Sequence, residues 1–419
     1  MGGMEMKKMK PSSGPAGLLP YEDAISRLFA AVTWRLPAEI VPVTAALGRV
    51  LAEEVKAGLD IPRFAKATMD GYAVRAADVK GAGAGAPVEL KVVEDLPAGK
   101  MARKKLASGQ AARIMTGAPI PAGADAVVMV EQTERDDAAR AVWIFSAVGP
   151  GDNVGPAGED VKKGAVVLGR GTRVGPAEMG MLAALGKATV RVSRRPRVAV
   201  LSTGDEVQAP GKPLRSGQIY DANGYSLLGL AQEQGCDAVL LGIAPDRPAA
   251  LRKKLTAARA DLVLMTGGVS VGDYDFAAGL LAELGVREIF YKVAIQPGMP
   301  TFAGAKGRCL FYGLPGNPVS AMVCFHLFVR PALNLLTGDL AIGMKQGRAI
   351  LAADIKVKPG RRKFLRARSI ASGPHLRVFP YPNQKSGVLS SMLSTDLLIE
   401  VPGEADKIGA GSEVNIYWL

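Results

Sequence analysis

The pattern of apolar and polar positions changes along the 419-residue chain, and each change predicts a different kind of structure. Between residues 197 and 336, short apolar runs alternate with segments whose apolar residues recur at helical spacing. Buried apolar strands that alternate with helices are typical of a doubly wound, largely parallel sheet, so an α/β domain is predicted here. Its predicted strands are 198–201, 238–243, 262–265, 288–291 and 309–312, and its predicted helices are 225–234, 248–258, 276–284 and 318–336.

On either side of this region, short strand-like runs are separated by turn residues. Before it, runs at 88–93, 111–115, 126–131 and 142–147 predict a compact β-rich domain. After about residue 341, five more runs predict a small β-barrel or sandwich. Helical spacing also occurs at 21–32 and 177–185, a helical or mixed stretch is predicted at 43–55, and residues 1–19 are expected to form a disordered tail.

Composition narrows the class of protein. The length predicts two to four domains, and the apolar and charged contents of 48% and 22% are those of a soluble globular protein. No apolar run approaches the roughly 18 residues of a membrane span, and the N-terminus lacks the apolar segment of a signal peptide. The three cysteines are odd in number and lie in apolar contexts, which indicates reduced core residues. A cytoplasmic protein that binds no membrane is therefore expected.

Charge and histidine content limit the chemistry. The net charge of +13 favours anionic partners such as phosphates, oxyanions or nucleotides. With only His326 and His375, metal chemistry is expected to use carboxylates and Mg²⁺, and His326, in an apolar helix, is interpreted as a core residue. The basic run 356–366 suggests nucleic-acid binding as an alternative, but with one aromatic residue it is interpreted as a solvated hairpin.

Three unusual loops follow strands of the predicted sheet, at 202–206, 265–275 and 314–320. The glycines of the second loop let backbone N–H groups approach an anion, and Asp273 and Asp275 beside them suit a hard cation. In the third, Asn317 is predicted to cap a helix that begins at Pro318 and presents free N–H donors. Because ligands of open α/β sheets bind at the carboxyl ends of the strands, the three loops predict one shared site for an anionic ligand.

At these residues the chain resembles the molybdenum insertase family, the molybdopterin molybdotransferases related to the E domain of gephyrin. Similar signatures occur outside the sheet, as Thr-Met-Asp-Gly-Tyr-Ala at 68–73 and Arg-Ile-Met-Thr-Gly-Ala at 113–118, with further matches at 122–131 and 158–160. The resemblance covers the chain from about Tyr21 to Leu419. The combination of motifs is specific, whereas the glycine-rich loop alone is shared with related adenylyltransferases.

The resemblance implies an elongated homodimer, with each active site formed by the α/β domain of one subunit and the β-rich domain of the other. Its implied division of the chain is a tail over 1–19, a helical linker domain over 20–57 and 161–193, a β-rich domain over 58–160, the α/β domain over 194–340 and a C-terminal β-barrel over 341–419.

The implied reaction transfers molybdenum from molybdate to adenylylated molybdopterin, with Mg²⁺-dependent cleavage of the phosphoanhydride and release of AMP. The adenylyltransferase of the preceding step is a possible partner protein. The positions that carry the family's catalytic roles are Asp70, Thr116, Glu206, Asp246, Asp275 and Lys292, with Asp160 also near the site. Glu206, Asp246 and Asp275 are the implied Mg²⁺ ligands. The implied ligand-binding residues are Thr203, Gly204, Gly267, Gly268, Ser270, Gly272, Asp273, Pro315, Gly316, Asn317, Arg366 and Ser390.

Three positions depart from the family pattern. Met299 replaces the lysine of Pro-Gly-Lys-Pro, an expected arginine is missing near Gly155, and Asp396-Leu397 stands where Asn-Gly is usual. These changes keep two alternatives open, an insertase for tungstate and a molybdopterin-binding scaffold. A third alternative, a molybdopterin adenylyltransferase, shares the sheet domain but would need that domain alone.

Overall fold

The computed structural model describes residues 17–267, 274–372 and 375–419, except for the side chains of 274–278 and 372. Most of the predicted tail over 1–19 therefore lies outside the described residues. The helices are α1 (Tyr21–Ala31), α2 (Pro176–Ala184), α3 (Ala222–Glu233), α4 (Pro248–Ala257), α5 (Tyr274–Glu283), α6 (Pro318–Cys324) and α7 (Arg330–Thr337), and a π-helix, Phe325–Val329, joins the last two. Single 3₁₀ turns span Val43–Ala45, Ala76–Asp78 and Val130–Gln132, and a longer one spans Leu389–Ser394.

A six-stranded sheet forms the centre of the molecule. Five of the six strands point in the same direction, as predicted. The sixth, Phe302–Lys306, is antiparallel to both of its neighbours because a hairpin, absent from the predicted strands, inserts it between them. In spatial order the strands are Asp237–Ala244, Arg197–Thr203, Leu262–Thr266, Cys309–Leu314, Phe302–Lys306 and Arg287–Tyr291.

Helices cover both faces of this sheet because successive residues of its strands point to opposite sides. Along Arg197–Thr203, Val198 and Val200 lie in one hydrophobic core with α1, α3, α6 and α7. Ala199 and Leu201 lie in a second core with α4 and α5. The sheet is therefore doubly wound, and its loops are left at the strand ends.

The predicted helical linker differs from what the structure contains. Helix α1 packs into the core of the α/β sheet through Ala24 and Leu28, both fully buried. The predicted stretch 43–55 forms only a 3₁₀ turn, isolated bridges and the start of a short strand. The rest of the segment contains α2 and two strand pairs, Ala38–Pro42 with Thr189–Ser193 and Val55–Lys56 with Val166–Leu168. β-Branched residues such as Val41 and Val192 favour this pairing over helix.

The expectation that no apolar run approaches the length of a membrane span was wrong for residues Pro318–Thr337. An 18-residue window of this 20-residue helix has a mean hydropathy of 1.5 and suffices by length and composition, but 89% of that window is buried inside the protein. They form the central helix of the larger core, and their apolar character serves packing.

The β-rich part is built on a second six-stranded sheet, in the order Ala126–Met129, Gly71–Val74, Gln110–Ile114, Val88–Leu96, Ala141–Ile144 and Thr133–Asp136. A short pair, Lys66–Ala67 with Val154–Gly155, lies beside it.

The C-terminal part is a closed five-stranded barrel, because Arg362–Ser372 pairs with strands on both of its sides. Around the barrel the strands are Arg362–Ser372, His375–Pro380, Gln346–Leu351, Glu413–Trp418 and Leu397–Val401, and Ile295–Gln296 pairs outside it. The basic run is thus not simply a solvated hairpin: Lys363 is 5% exposed, and its Nζ donates to the carbonyls of Lys358 and Arg361 at 2.5 and 3.1 Å. Two short strand pairs complete the structure, Val207–Gln208 with Ile219–Tyr220 and Ile355–Lys356 with Lys407–Ile408.

Candidate functional site

The first two predicted loops meet at the carboxyl edge of the sheet. Their strands end at Thr203 and Thr266, in neighbouring parallel register. Gly267 has φ +85°, and a Cβ on it would lie 2.1 Å from the carbonyl oxygen of Thr203. The loops therefore approach each other so closely that only glycine fits at this position.

Asn223 ties the second loop to the third. Its Nδ2 donates to Thr266 Oγ1 at 2.9 Å and to the carbonyl oxygen of Gly316 at 2.7 Å. The sequence analysis missed this residue. The available signal was the run Asp221-Ala222-Asn223, which stands where a helix cap is favoured.

Asp221 fixes the start of α3 beside the same loops. It is buried, accepts a hydrogen bond from the backbone N–H of Gly224 at 2.8 Å, and accepts one from Ser202 Oγ at 2.8 Å. The cap thereby links α3 to the end of the first strand. Asn223, two residues after Asp221, is thereby held against the sheet edge.

These residues line a narrow cavity of about 110 Å³. Glu206 is exposed on its wall, while Thr203 and Gly204 are buried beneath it. The lining residues are Ser202, Thr203, Glu206, Val207, Ile219, Tyr220, Asp221, Ala222, Asn223, Thr266, Gly267, Gly316 and Pro318.

A larger cavity, of about 400 Å³, is lined by neighbouring residues of the third loop. Asn317 occupies the predicted cap position before Pro318, but its side chain makes no capping hydrogen bond, so its amide remains available to the cavity. Two cations, Arg361 and Lys385, reach this cavity. Its lining residues are Gln296, Pro297, Gly298, Met299, Pro300, Pro315, Asn317, Ser320, Arg361, Gln384, Lys385 and Ser386.

Arg366, predicted to contact the ligand, is fully buried instead. Its guanidinium donates to Ser391 Oγ at 2.6 Å, to the carbonyl of Asn383 at 2.9 Å and to that of Lys385 at 3.3 Å. Burial lowers the pKa of Arg366 from its usual value. In this structure Arg366 positions residues 383–391, while Ser390, the neighbouring residue that is predicted to bind the ligand, is exposed.

Asp70 and Thr116 contact each other at the surface of the β-rich part. Asp70 Oδ1 accepts from both the backbone N–H and the Oγ1 of Thr116, each at 2.7 Å. These hydrogen bonds, the backbone one first, lower the pKa of the Asp70 carboxyl. The pair is thus preorganised and anionic, but it does not line the two cavities of the sheet edge.

Asp246 and Lys292 follow the two outermost strands of the sheet. Both strands point in the same direction, so both residues lie at the carboxyl edge, separated by five strand spacings, or about 24 Å. Lys292 has φ +55°, an uncommon conformation for a residue with a side chain, and its Nζ lies 4.8 Å from the ring centroid of Tyr291. Neither residue lines the cavity beside Thr203.

Several predicted residues fall outside the described part of the chain: Gly268, Ser270, Gly272, Asp273 and the side chain of Asp275. Within the described part, no three carboxylate, imidazole or thiolate side chains converge to hold a metal ion. Glu206, one of the predicted metal ligands, lines the cavity beside Thr203.

Comparison with known proteins finds matches over most of the chain. Family models match over three stretches: "MoeA N-terminal region (domain I and II)" at 19–186, "Probable molybdopterin binding domain" at 199–335 and "MoeA C-terminal region (domain IV)" at 348–419. Molybdopterin molybdenumtransferase 2 of Mycobacterium tuberculosis is 39% identical over 386 residues, 90% of this chain and 94% of that relative. The chain belongs to the molybdopterin molybdenumtransferase family.

Two further comparisons agree. The molybdopterin molybdenumtransferase of Haemophilus influenzae is 36% identical over 408 residues, 95% of this chain and 98% of that one. The crystal structure of a molybdopterin biosynthesis MoeA protein from Pyrococcus horikoshii OT3 aligns with a TM-score of 0.83 at 34% identity, over 96% of this chain and 100% of that one. The predicted family, its transferase class and its multidomain fold are confirmed.

Proposed function

We propose that this molybdopterin molybdenumtransferase acts in the cytoplasm, where it inserts molybdenum from molybdate into adenylylated molybdopterin and releases AMP. The observation that carries this proposal is the pair of cavities lined by residues of the loop Pro315–Pro318. One cavity is narrow and bordered by close-packed backbone, whereas the other is wider and lined by two cationic side chains. Such a pair suits a reaction between two different anions, because each is held beside the other.

The narrow cavity would hold the phosphates. Close backbone approach at Gly267 and Gly316 gives a ligand access to N–H donors, and Glu206 borders the cavity. Mg²⁺ keeps several waters and usually takes one or two carboxylates together with substrate phosphates. A single exposed Glu206 at this cavity fits that donor set, with Asp275 and Asp246 as the other predicted ligands. When bound, Mg²⁺ would neutralise phosphate charge as the anhydride breaks.

The wide cavity would hold the oxyanion. Its cations and the amide of Asn317 are donors suited to molybdate oxygens. The separation of about 24 Å between the ends of the sheet edge leaves room for an extended nucleotide-linked ligand, with Lys292 at one end.

The preorganised pair of Asp70 and Thr116 has no role within the two cavities of its own chain. If each active site is shared between two subunits of a homodimer, the Asp70–Thr116 pair would border the sheet edge of the partner subunit and take part in the site there. The preceding adenylyltransferase is the proposed supplier of the substrate.

The test is AMP release from adenylylated molybdopterin by the purified protein with Mg²⁺ and molybdate, and separately with tungstate. We expect oxyanion-dependent release, reduced about tenfold or more in Asn223→Ala because two loops lose their shared hydrogen-bond donor. Asn415→Ala, which removes an exposed barrel amide bonded to Glu400, is the control and should retain activity. A folded protein that binds the pterin but releases no AMP with either oxyanion would overturn the proposal in favour of a scaffold.

A further inference from the structure

Two cations of the wide cavity, Arg361 and Lys385, have no counter-ion among the residues that the structure describes. Arg361 is half-buried and Lys385 is exposed, and neither forms an ion pair with any described residue. Neighbouring Arg362, by contrast, pairs with both Glu22 and Glu400. Glu22 and Glu400 thus neutralise Arg362 and not the two cations of the cavity. Since no carboxylate is among the described lining residues, the cavity has a local excess of positive charge.

The backbone at Lys385 is fixed by hydrogen bonds to Arg366 and Asn383. Its carbonyl accepts hydrogen bonds from Nη1 and Nη2 of the buried Arg366, each at 3.3 Å, and its N–H donates to Asn383 Oδ1 at 3.1 Å. Ser391, which also binds Arg366, fixes the following turn. A long side chain on a fixed backbone loses less freedom when it binds an anion, so this position is prepared for a ligand.

Met299 contributes an uncharged thioether to the same cavity. A divalent tetrahedral oxyanion requires charged or N–H donors, and a thioether supplies neither. In a cavity of about 400 Å³, a cation on any wall lies within roughly one Debye length, about 8 Å, of a central anion. The positive charge that attracts the oxyanion can therefore come from a wall of the cavity opposite or beside the one that carries Met299.

We propose that Lys385, together with Arg361, binds the oxyanion substrate and supplies the positive charge that position 299 lacks in this chain. This assignment rests on the proposed function of the cavity and names the residue that determines its affinity for the oxyanion. Lys385 donates from its ammonium group, while Arg361 can donate two parallel N–H bonds to two oxyanion oxygens.

The experiment removes the positive charge at position 385 and then introduces one at position 299. Lys385→Met should raise the KM for molybdate in AMP release about tenfold, the cost of one charge-assisted contact, with little change in the KM for adenylylated molybdopterin. Adding Met299→Lys to Lys385→Met should restore the molybdate KM to within about threefold. The control is Lys356→Met, which removes the same charge from an exposed position on the neighbouring cleft and should leave the molybdate KM unchanged.

Calorimetric titration of molybdate alone into the same four proteins separates this inference from the proposed reaction. If none of them releases AMP, the reaction fails, but a tenfold weaker Kd in Lys385→Met with rescue in the double variant still supports the assignment. An unchanged Kd and KM in Lys385→Met, or an equal loss in Lys356→Met, would overturn it.

Discussion

At Gly267 the second loop passes so close to the first that a side chain has no room. The residue combines a positive φ with a backbone contact, and these two constraints can be separated experimentally. Gly186 has a similar φ of +73°, but nothing lies within 4 Å of its missing Cβ. It therefore provides a reference for the cost of backbone strain alone.

Gly186→Ala should destabilise the protein by about 1–2 kcal/mol, the usual strain of a left-handed residue. Gly267→Ala carries the same strain and must also push Thr203 away, so we expect a larger loss of stability and a loss of AMP release. Thermal unfolding and activity measurements on both variants check this. Equal effects would show that the two loops do not depend on their close approach.

Local sequence was sufficient to place Gly267 in a loop after a buried strand, because the apolar run 262–265 is continuous in the sequence. It was insufficient for Asn223, whose partners lie 43 and 93 residues away, and for Arg366, since a cation's burial depends on the residues packed over it.

Met299 was recognised as a departure from the family pattern, but the cations that share its cavity come from the barrel. The third departure, Asp396, is engaged by the N–H and Oγ of Ser369 within the barrel. The roles of Glu206, Asp246, Lys292 and Asp275 stay predictions.

At the scale of the element, the helical run Pro318–Thr337 carries a buried histidine in its π-helical turn. His326 is 3% exposed, and its Nδ1 has no hydrogen-bond partner among the described residues. Burial, with Arg330 nearby, lowers the pKa of His326 to about 4. The interpretation of His326 as a core residue is therefore consistent with its surroundings, and the imidazole is neutral in the folded protein at neutral pH.

Because the folded pKa lies below the value near 6.5 of an unfolded histidine, the unfolded state binds the proton first. Stability is thus fully present above about pH 6.5 and falls as the pH is lowered towards 4. We expect His326→Gln to have a shallower loss of stability across this window. NMR of the two histidine rings, with His375→Ala to assign them, should show that the His326 ring remains neutral to about pH 4. Titration of that ring near pH 6.5 would contradict the prediction.

The alternation of strands and helices predicted the α/β sheet because its periodicity is local and strong. The antiparallel hairpin strand, Phe302–Lys306, was missed since its Gly, Ala and Lys residues carry little strand signal. The predicted domain boundaries stay predictions, although α1 shows that sequence neighbours do not always share a core.

At the scale of the whole molecule, α1 lies between the sheet and the barrel. The Tyr21 ring packs edge-on against Phe328 of the central helix at 5.8 Å and against Phe364 of the barrel at 5.4 Å. Glu22 pairs with Arg362 of the barrel. The first helix therefore joins two parts of the fold, which are also linked by the strand Ile295–Gln296 and by a hydrogen bond from the N–H of Val319 to the carbonyl of Ser386.

Leu28→Ala removes a fully buried side chain from this junction and should cost about 2–5 kcal/mol. Leu393→Ala makes the same chemical change at a position that is 90% exposed and should cost less than about 0.5 kcal/mol. Calorimetry should show that Leu28→Ala lowers the unfolding temperature of the sheet and barrel together. A change confined to an early, minor transition would show that α1 is only loosely attached.

The position of α1 also has a consequence for biosynthesis. During translation α1 emerges before the residues that complete its core, because Phe364 and Tyr417, which share that core, follow it by more than 300 residues. During that interval the apolar face of α1 has no complete partner surface, so the nascent chain must carry it exposed or held by a chaperone. Residues of the barrel therefore complete the packing of α1, and a chain that stops before the barrel lacks part of the core that holds this helix.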